Sequence, residues 1–271
     1  MLEVRKIKKN YGGFLAVNEL DFSAEDGEVV AIAGENGAGK TTSLKIIAGV
    51  MLPESGKVLL NSYPVSEIKK KIGYLPEFDA LYDNMTSKEY LQFFASLYGV
   101  KEKGIVKELL EEFEVPEKLC SELSKGNKRK LSIARTLIHD PKLLVYDEPL
   151  SGLDPVMALK IAEKIRELAN SGKIVIFSTH NLYYVERVAD KIVIMKRGRV
   201  LYYGSVKKIL KKSNYLISFS ENSMVRRVEV SGVDELLKEI NKLRSDGFEI
   251  IDIGKTAPRL EDVYFELLSG T

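Results

Sequence analysis

Three short apolar runs end in small, acidic or polar residues. "EVVAIAG" (28–34) closes on glycine, "KLLVYDEP" (142–149) on an acidic pair and "KIVIFSTH" (173–180) on polar residues. Each reads as a buried strand. Between the last two, Val156, Leu159, Ala162, Ile165 and Leu168 recur at helical spacing, while Lys160, Glu163, Lys164 and Arg166 take the outer face. "KTTSLKIIAG" (40–49) reads as a helix stopped by Gly49. Strand, helix, strand in this order predicts a parallel sheet with crossover helices.

The pattern changes twice. Residues 87–115, "SKEYLQFFASLYGV" and "KGIVKELLEEFEV", predict consecutive amphipathic helices with no strand between them, a helical insertion spanning about 78–140. After "KKSN" (211–214), the segments "YLISFS", "RRVEV" and "FEIIDI" predict strands, and "VDELLKEINKLR" and "RLEDVYFELL" predict helices. The expected division is therefore a main domain over 1–212 and a small α+β appendage over 213–271. A length of 271 residues with 45% hydrophobic content accommodates both.

Charge narrows the function. Forty-one basic and 39 acidic residues nearly cancel, so the balance makes no case for nucleic acid. Cys120 is the single cysteine, which excludes an internal disulfide and fits a reducing compartment. The start, "MLEVRKIKKNYGG", has no apolar signal-peptide core, and no apolar run reaches the ~18–20 residues of a membrane helix. The chain is expected not to cross a membrane by itself.

The chemistry begins with "GENGAGKTTS" (34–43). Gly34, Gly39, Lys40 and Thr41 satisfy G-x-x-x-x-G-K-[ST] after a strand and at the opening of a helix. Glycines let backbone N–H groups converge on phosphate oxygens, and the helix N-terminus adds its dipole. Lys40 is expected to reach the β- and γ-phosphates, and the Thr41 hydroxyl to hold Mg²⁺. Asp147 and Glu148 stand at the carboxyl end of a buried strand, where ligands sit in such sheets. Asp147 suits a second Mg²⁺ contact and Glu148 suits a general base for the attacking water.

A second candidate loop, "LSKGNKRKLSIARTL", places Ser124 and Gly126 before a helix expected from about Asn127 to Ile138. On residue types alone this is plain helix capping. The acidic-ended strand and "SGLDP" that follow change the reading. The whole arrangement, over at least 1–205, resembles the ATP-binding subunit of ABC transporters. "GENGAGKT" is similar to the family's Walker A motif, "LLVYDE" to Walker B, "LSKGN" to the signature loop, "SGLD" to the D-loop and "STH" to the switch-histidine segment. The resemblance implies an α/β P-loop NTPase of ABC type: a mainly parallel sheet, an antiparallel N-terminal β part, a helical subdomain and the appendage. It also implies nucleotide contacts from Asn36, Gly37, Ala38, Gly39, Lys40, Thr41 and Thr42, adenine stacking on Tyr11, and a γ-phosphate contact from His180. Ser124 and Gly126 would close over ATP held by a second copy, with Asp154 bridging the two.

Lys125 and Asn127 stand where the common signature has glycine and glutamine, and Glu77 stands where a glutamine is usual. These departures resemble the exporter branch of drug- and antibiotic-resistance pumps. Glu77 is accordingly expected near Mg²⁺ and the lytic water. Phe78, Leu81 and Tyr82 form an expected apolar docking patch, and His139 is expected to meet a helix dipole. The implied function is ATP hydrolysis that powers export through a separate membrane-spanning permease, the chain lying peripherally on the inner face of the membrane, with ATP and Mg²⁺ as cofactors. The alternative is a soluble, non-transport ABC ATPase. Translation-type members usually carry two ATPase units and repair-type members a long coiled coil, neither of which this sequence contains.

Overall fold

The structure is a computed structural model that describes all residues except 102–103, 211–213, 222–223, 257–258 and 270–271. It divides into two compact units, Met1–Tyr203 and Gly204–Thr271. In chain order the first contains β1 (Leu2–Tyr11), β2 (Phe14–Ala24), β3 (Val29–Gly34), α1 (Lys40–Ile47), β4 (Ser55–Leu60), β5 (Tyr63–Pro64) and β6 (Ile72–Leu75). It continues with α2 (Ser87–Tyr98), α3 (Ile105–Glu112), α4 (Lys125–Leu137), β7 (Leu143–Tyr146), α5 (Pro155–Asn170), β8 (Ile174–Thr179), α6 (Leu182–Val188), β9 (Lys191–Lys196) and most of β10 (Arg199–Ser205), whose last two residues belong to the second.

The central sheet runs β10-β9-β3-β8-β7-β6, and β9, β3, β8, β7 and β6 are parallel. Every residue of β3, β7 and β8 is buried, as both-face coverage of a parallel sheet requires. That is why these strands read as continuous apolar runs. Register then sets the site. Ala33 lies beside Thr179 and Tyr146 beside Phe177, so the carboxyl ends of β3, β7 and β8 stand side by side.

A second, antiparallel sheet, β2-β1-β4-β5, packs its alternating apolar face (Leu2, Val4, Ile7, Leu20, Phe22) against the core formed by Val30, Ile32, Leu44 and Ile47. The predicted helical insertion consists of α2, α3 and α4. A capping box of Thr86 and Glu89 opens α2. Helix α4 starts at Lys125, two residues earlier than the pattern predicts, because Ser124 is its N-cap and accepts from the Asn127 N–H at 3.3 Å. The same helix packs on β6, so the insertion stays within the first unit.

The second unit contains α7 (Val206–Leu210), β11 (Asn214–Glu221), β12 (Met224–Ser231), α8 (Gly232–Ser245), β13 (Glu249–Thr256) and α9 (Leu260–Ser269). Its antiparallel sheet runs β12-β11-β13, with α8 against all three strands. The expected boundary was 212/213, whereas the compact units meet between Tyr203 and Gly204; in the second, α7 packs on α9, and Val206 and Ile209 of α7 are buried. The predicted switch at 211–213 lies outside the described residues. Among the described residues no helix is long and apolar enough to cross a membrane.

Candidate functional site

The turn from β3 into α1 is shaped by close approach. A Cβ on Gly39, at φ 100°, would run into the Ala16 carbonyl oxygen; one on Gly34 would lie 2.5 Å from the Met195 carbonyl oxygen. α1 has no side-chain cap and no acidic residue in its first turn, so its N-terminal N–H groups remain available to an anion. Lys40 is buried and donates to the carbonyls of Gly34 (2.8 Å) and Glu35 (3.3 Å).

The end of β7 supplies the carboxylates. Ser178, fully buried on β8, donates from Oγ to Asp147 Oδ1 at 2.6 Å and accepts from the Glu148 N–H at 2.8 Å. Glu148 is held with φ 45°, in the left-handed region that a non-glycine residue rarely adopts. Its carboxylate stands 3.6 Å from Lys40 Nζ and 3.1 Å from His180 Nδ1. The other Asp147 oxygen, Oδ2, is buried with no hydrogen-bond partner. Behind the site, the Tyr74 hydroxyl is pushed up to about 12, first by burial and then by the charges of Asp147 and Glu77.

A cleft of about 490 Å³ joins these parts. Tyr11, Asn36 through Thr42, Glu77, Glu148 and His180 all line it, so the structure brings most of the sequence candidates together. Asp147 sits behind Glu148 rather than on the wall. Ser124, Gly126 and Asp154 are not on the wall either, and two of them cap helices. They gather separately: Asp154 accepts from the Met157 N–H at 3.0 Å, and a Cβ on Gly126 would lie 3.1 Å from Met157 Cγ. Phe14, Glu35 and Ser151 line the cleft without having been singled out, and Ser178 was missed altogether. Phe14 had a signal, since it faces Tyr11 across the two-glycine turn.

Two other expectations meet different outcomes. Phe78 (79% exposed) and Tyr82 (51%) are solvent-facing, whereas Leu81 is half-buried; the Tyr82 ring leans on Tyr90 and Phe93. His139 follows the C-cap residue Ile138 of α4. Its ring stacks on Tyr98 at 4.0 Å, its Nε2 meets the Ile72 carbonyl at 3.1 Å, and burial pushes its pKa down.

Parallel sheet, glycine-rich loop and strand-end carboxylates define a P-loop nucleotide-binding domain. The ABC transporter family model matches residues 17–151. An uncharacterised ABC transporter ATP-binding protein of Methanocaldococcus jannaschii is 34% identical over 83% of this chain and 86% of its own. Nod factor export ATP-binding protein I of a Rhizobium species is 34% identical over 98% and 96%. Among solved structures, cbiO1 of Clostridium perfringens, part of the ABC transporter complex cbiONQ, superposes with a TM-score of 0.70 at 28% identity, covering 77% of this chain and 89% of that one. The chain belongs to the ABC transporter family, as one of its ATP-binding ATPase subunits.

Proposed function

We propose that this chain is the ATP-hydrolysing subunit of an exporter, closing with a second copy around two ATP molecules and driving a separate membrane-spanning permease. On this reading it lies on the inner face of the membrane through that permease, and the permease sets the substrate. The observation that carries the proposal is the convergence of Tyr11, the phosphate loop, Glu77, Glu148 and His180 on one cleft, with Ser124, Gly126 and Asp154 clustered elsewhere. An export partner is supported by the alignment to the Nod factor export protein, which takes in the C-terminal unit as well.

Tyr11 stacks on the adenine, with Phe14 beside it. N–H groups at the start of α1 bind the phosphates, and Lys40 exchanges its two carbonyl partners for β- and γ-phosphate oxygens. Glu148 accepts the proton of the attacking water, while His180 steadies the γ-phosphate. The donor set fits Mg²⁺: Asp147, whose buried Oδ2 has no hydrogen-bond partner, would hold it together with oxygens of Thr41 and Glu77, which line the cleft. Mg²⁺ held there would neutralise phosphate charge as it develops. Ser124 and Gly126 close over the nucleotide of the other copy, and Asp154 lies at the junction.

Glu148→Gln tests this. ATP binding should persist while hydrolysis falls by ~10²–10⁴, and ATP-bound dimers should accumulate in light scattering. Hydrolysis at the parent rate would remove Glu148 from its role.

A further inference from the structure

Arg129 is a buried arginine, its side chain 4% exposed, that lines no part of the cleft. From α4 its guanidinium reaches back to the segment after β6. Nη1 donates to the Pro76 carbonyl at 3.2 Å, Nη2 donates to the Glu77 carbonyl at 2.6 Å, and Nη1 lies 3.2 Å from Asp79 Oδ1. Farther along the same helix, Arg135 donates to the Tyr74 carbonyl at 3.1 Å. One helix therefore grips the backbone around Glu77, a residue that lines the cleft.

The other end of that helix is equally fixed. Ser124 caps it, and Gly126 packs against Met157 at the start of α5. Arg129 is five residues from Ser124, about 7–8 Å along a rigid helix. A shift of the helix N-terminus moves the guanidinium, and with it the two carbonyls it holds. A planar fork suits this work, because its fixed geometry aims separate N–H groups at the two carbonyls while its charge lies beside Asp79, whereas a lysine ammonium has no such fixed fork.

We propose that Arg129 is a positioning residue: by binding the Pro76 and Glu77 carbonyls it sets where the Glu77 carboxylate stands, and it ties that position to the helix beginning at Ser124. The proposal rests on the reading of Glu77 as a group that serves hydrolysis. Arg129 touches no reacting atom. Its effect on the reaction passes through Glu77.

A double-mutant cycle on the full chain separates this role from mere structural support. Arg129→Lys should lower kcat about tenfold with KM for ATP within about twofold, a loss in the transition state rather than in binding. In a Glu77→Ala background the same substitution should change the residual kcat by less than about twofold, because the group it positions is gone. Urea melts should show equal destabilisation in both backgrounds. If Arg129→Lys does not fold, Asp79→Asn, which leaves the guanidinium in place but weakens its hold, goes through the same cycle. Equal fold-losses in kcat in both backgrounds, or no loss in the parent background, would overturn the proposal. Glu77→Ala at the parent rate would instead remove Glu77 from hydrolysis, and the positioning role with it.

Discussion

Ser178→Ala is the smallest change that reaches both carboxylates at the end of β7. The side chain it removes is fully buried, so no water replaces it. Two bonds disappear: a donation to Asp147 Oδ1 at 2.6 Å and the acceptance of the Glu148 N–H at 2.8 Å. A hydrogen bond to a charged group contributes about 1.5–3 kcal/mol, and a stranded buried N–H costs about 1–3 kcal/mol. Because the two share one hydroxyl they do not simply add, and about 3 kcal/mol is the working figure. A unit of this size loses roughly 2–4 °C per kcal/mol, so the melting temperature should drop by about 6–12 °C. The second effect is on chemistry. Glu148 sits at φ 45° with its N–H anchored to Ser178, and freeing it lets the carboxylate leave its place beside Lys40 and His180. Hydrolysis should therefore fall more than ATP affinity, measured by phosphate release and by equilibrium nucleotide binding on the same sample at a temperature where it is folded. A melting shift below about 2 °C together with an unchanged rate would refute the reasoning.

Other substitutions probe separate parts. Burial holds the His139 pKa below the ordinary imidazole value, so its contribution to stability is complete above the unfolded pKa of about 6.5 and is lost as pH falls through the lower folded value. His139→Phe keeps a ring on Tyr98 without titrating, and its urea midpoint should vary less between about pH 6.5 and 5; identical slopes in the two proteins would rule this out. Tyr82→Arg should weaken permease binding in a pull-down while sparing basal hydrolysis, and a large loss of thermal stability would show that the ring serves packing instead. A chain ending after Ser205, which keeps β10 whole, should fold and bind ATP, since every residue lining the cleft precedes it; finding only insoluble protein would show that the first unit needs the second.

The places of the glycine-rich loop and the strand-end carboxylates were legible because the motif lies in residue type at fixed spacing, and because doubly covered strands must be apolar throughout. Leu143–Tyr146 could be placed from its own letters. Ser178 could not, because a serine near the end of "FSTH" looks like any polar strand terminus, and its partners lie 30 and 31 residues away. Arg129 was hidden in the opposite way. "NKRK" has the composition of a solvated face, yet Arg129 and Lys130 are both buried, Arg129 on carbonyls more than 50 residues distant and Lys130 on Glu114 at 3.1 Å. The division of the compact units at Gly204 was hidden for a related reason. α7 is too short to announce its allegiance, which is decided by its contact with α9 at the far end of the chain.

The separation of Ser124 from the cleft also bears on how the site works. Ser124 and Asp154 each cap a helix by accepting a backbone N–H, and these two caps are linked through Gly126 and Met157. The turn between β7 and α5 joins this cluster to the carboxylates at the end of β7: Ser151 lines the cleft, and its N–H donates to the Glu148 carbonyl at 3.2 Å, while the adjoining Gly152 faces the Lys125 ammonium. One short turn thus touches the cleft on one side and the Ser124 loop on the other. If a second copy's nucleotide presses on Ser124 and Gly126, the displacement has two routes to this chain's own site. One passes through the 151–157 turn to Glu148, and the other through Arg129 to Glu77. Two such routes converging on one cleft would make hydrolysis in each copy respond to ATP held by the other. A single chain, whose signature loop closes on nothing, would then hydrolyse slowly, and specific activity should rise with enzyme concentration as pairs form. Activity strictly proportional to enzyme, from a species shown by mass to be a monomer, would break that link.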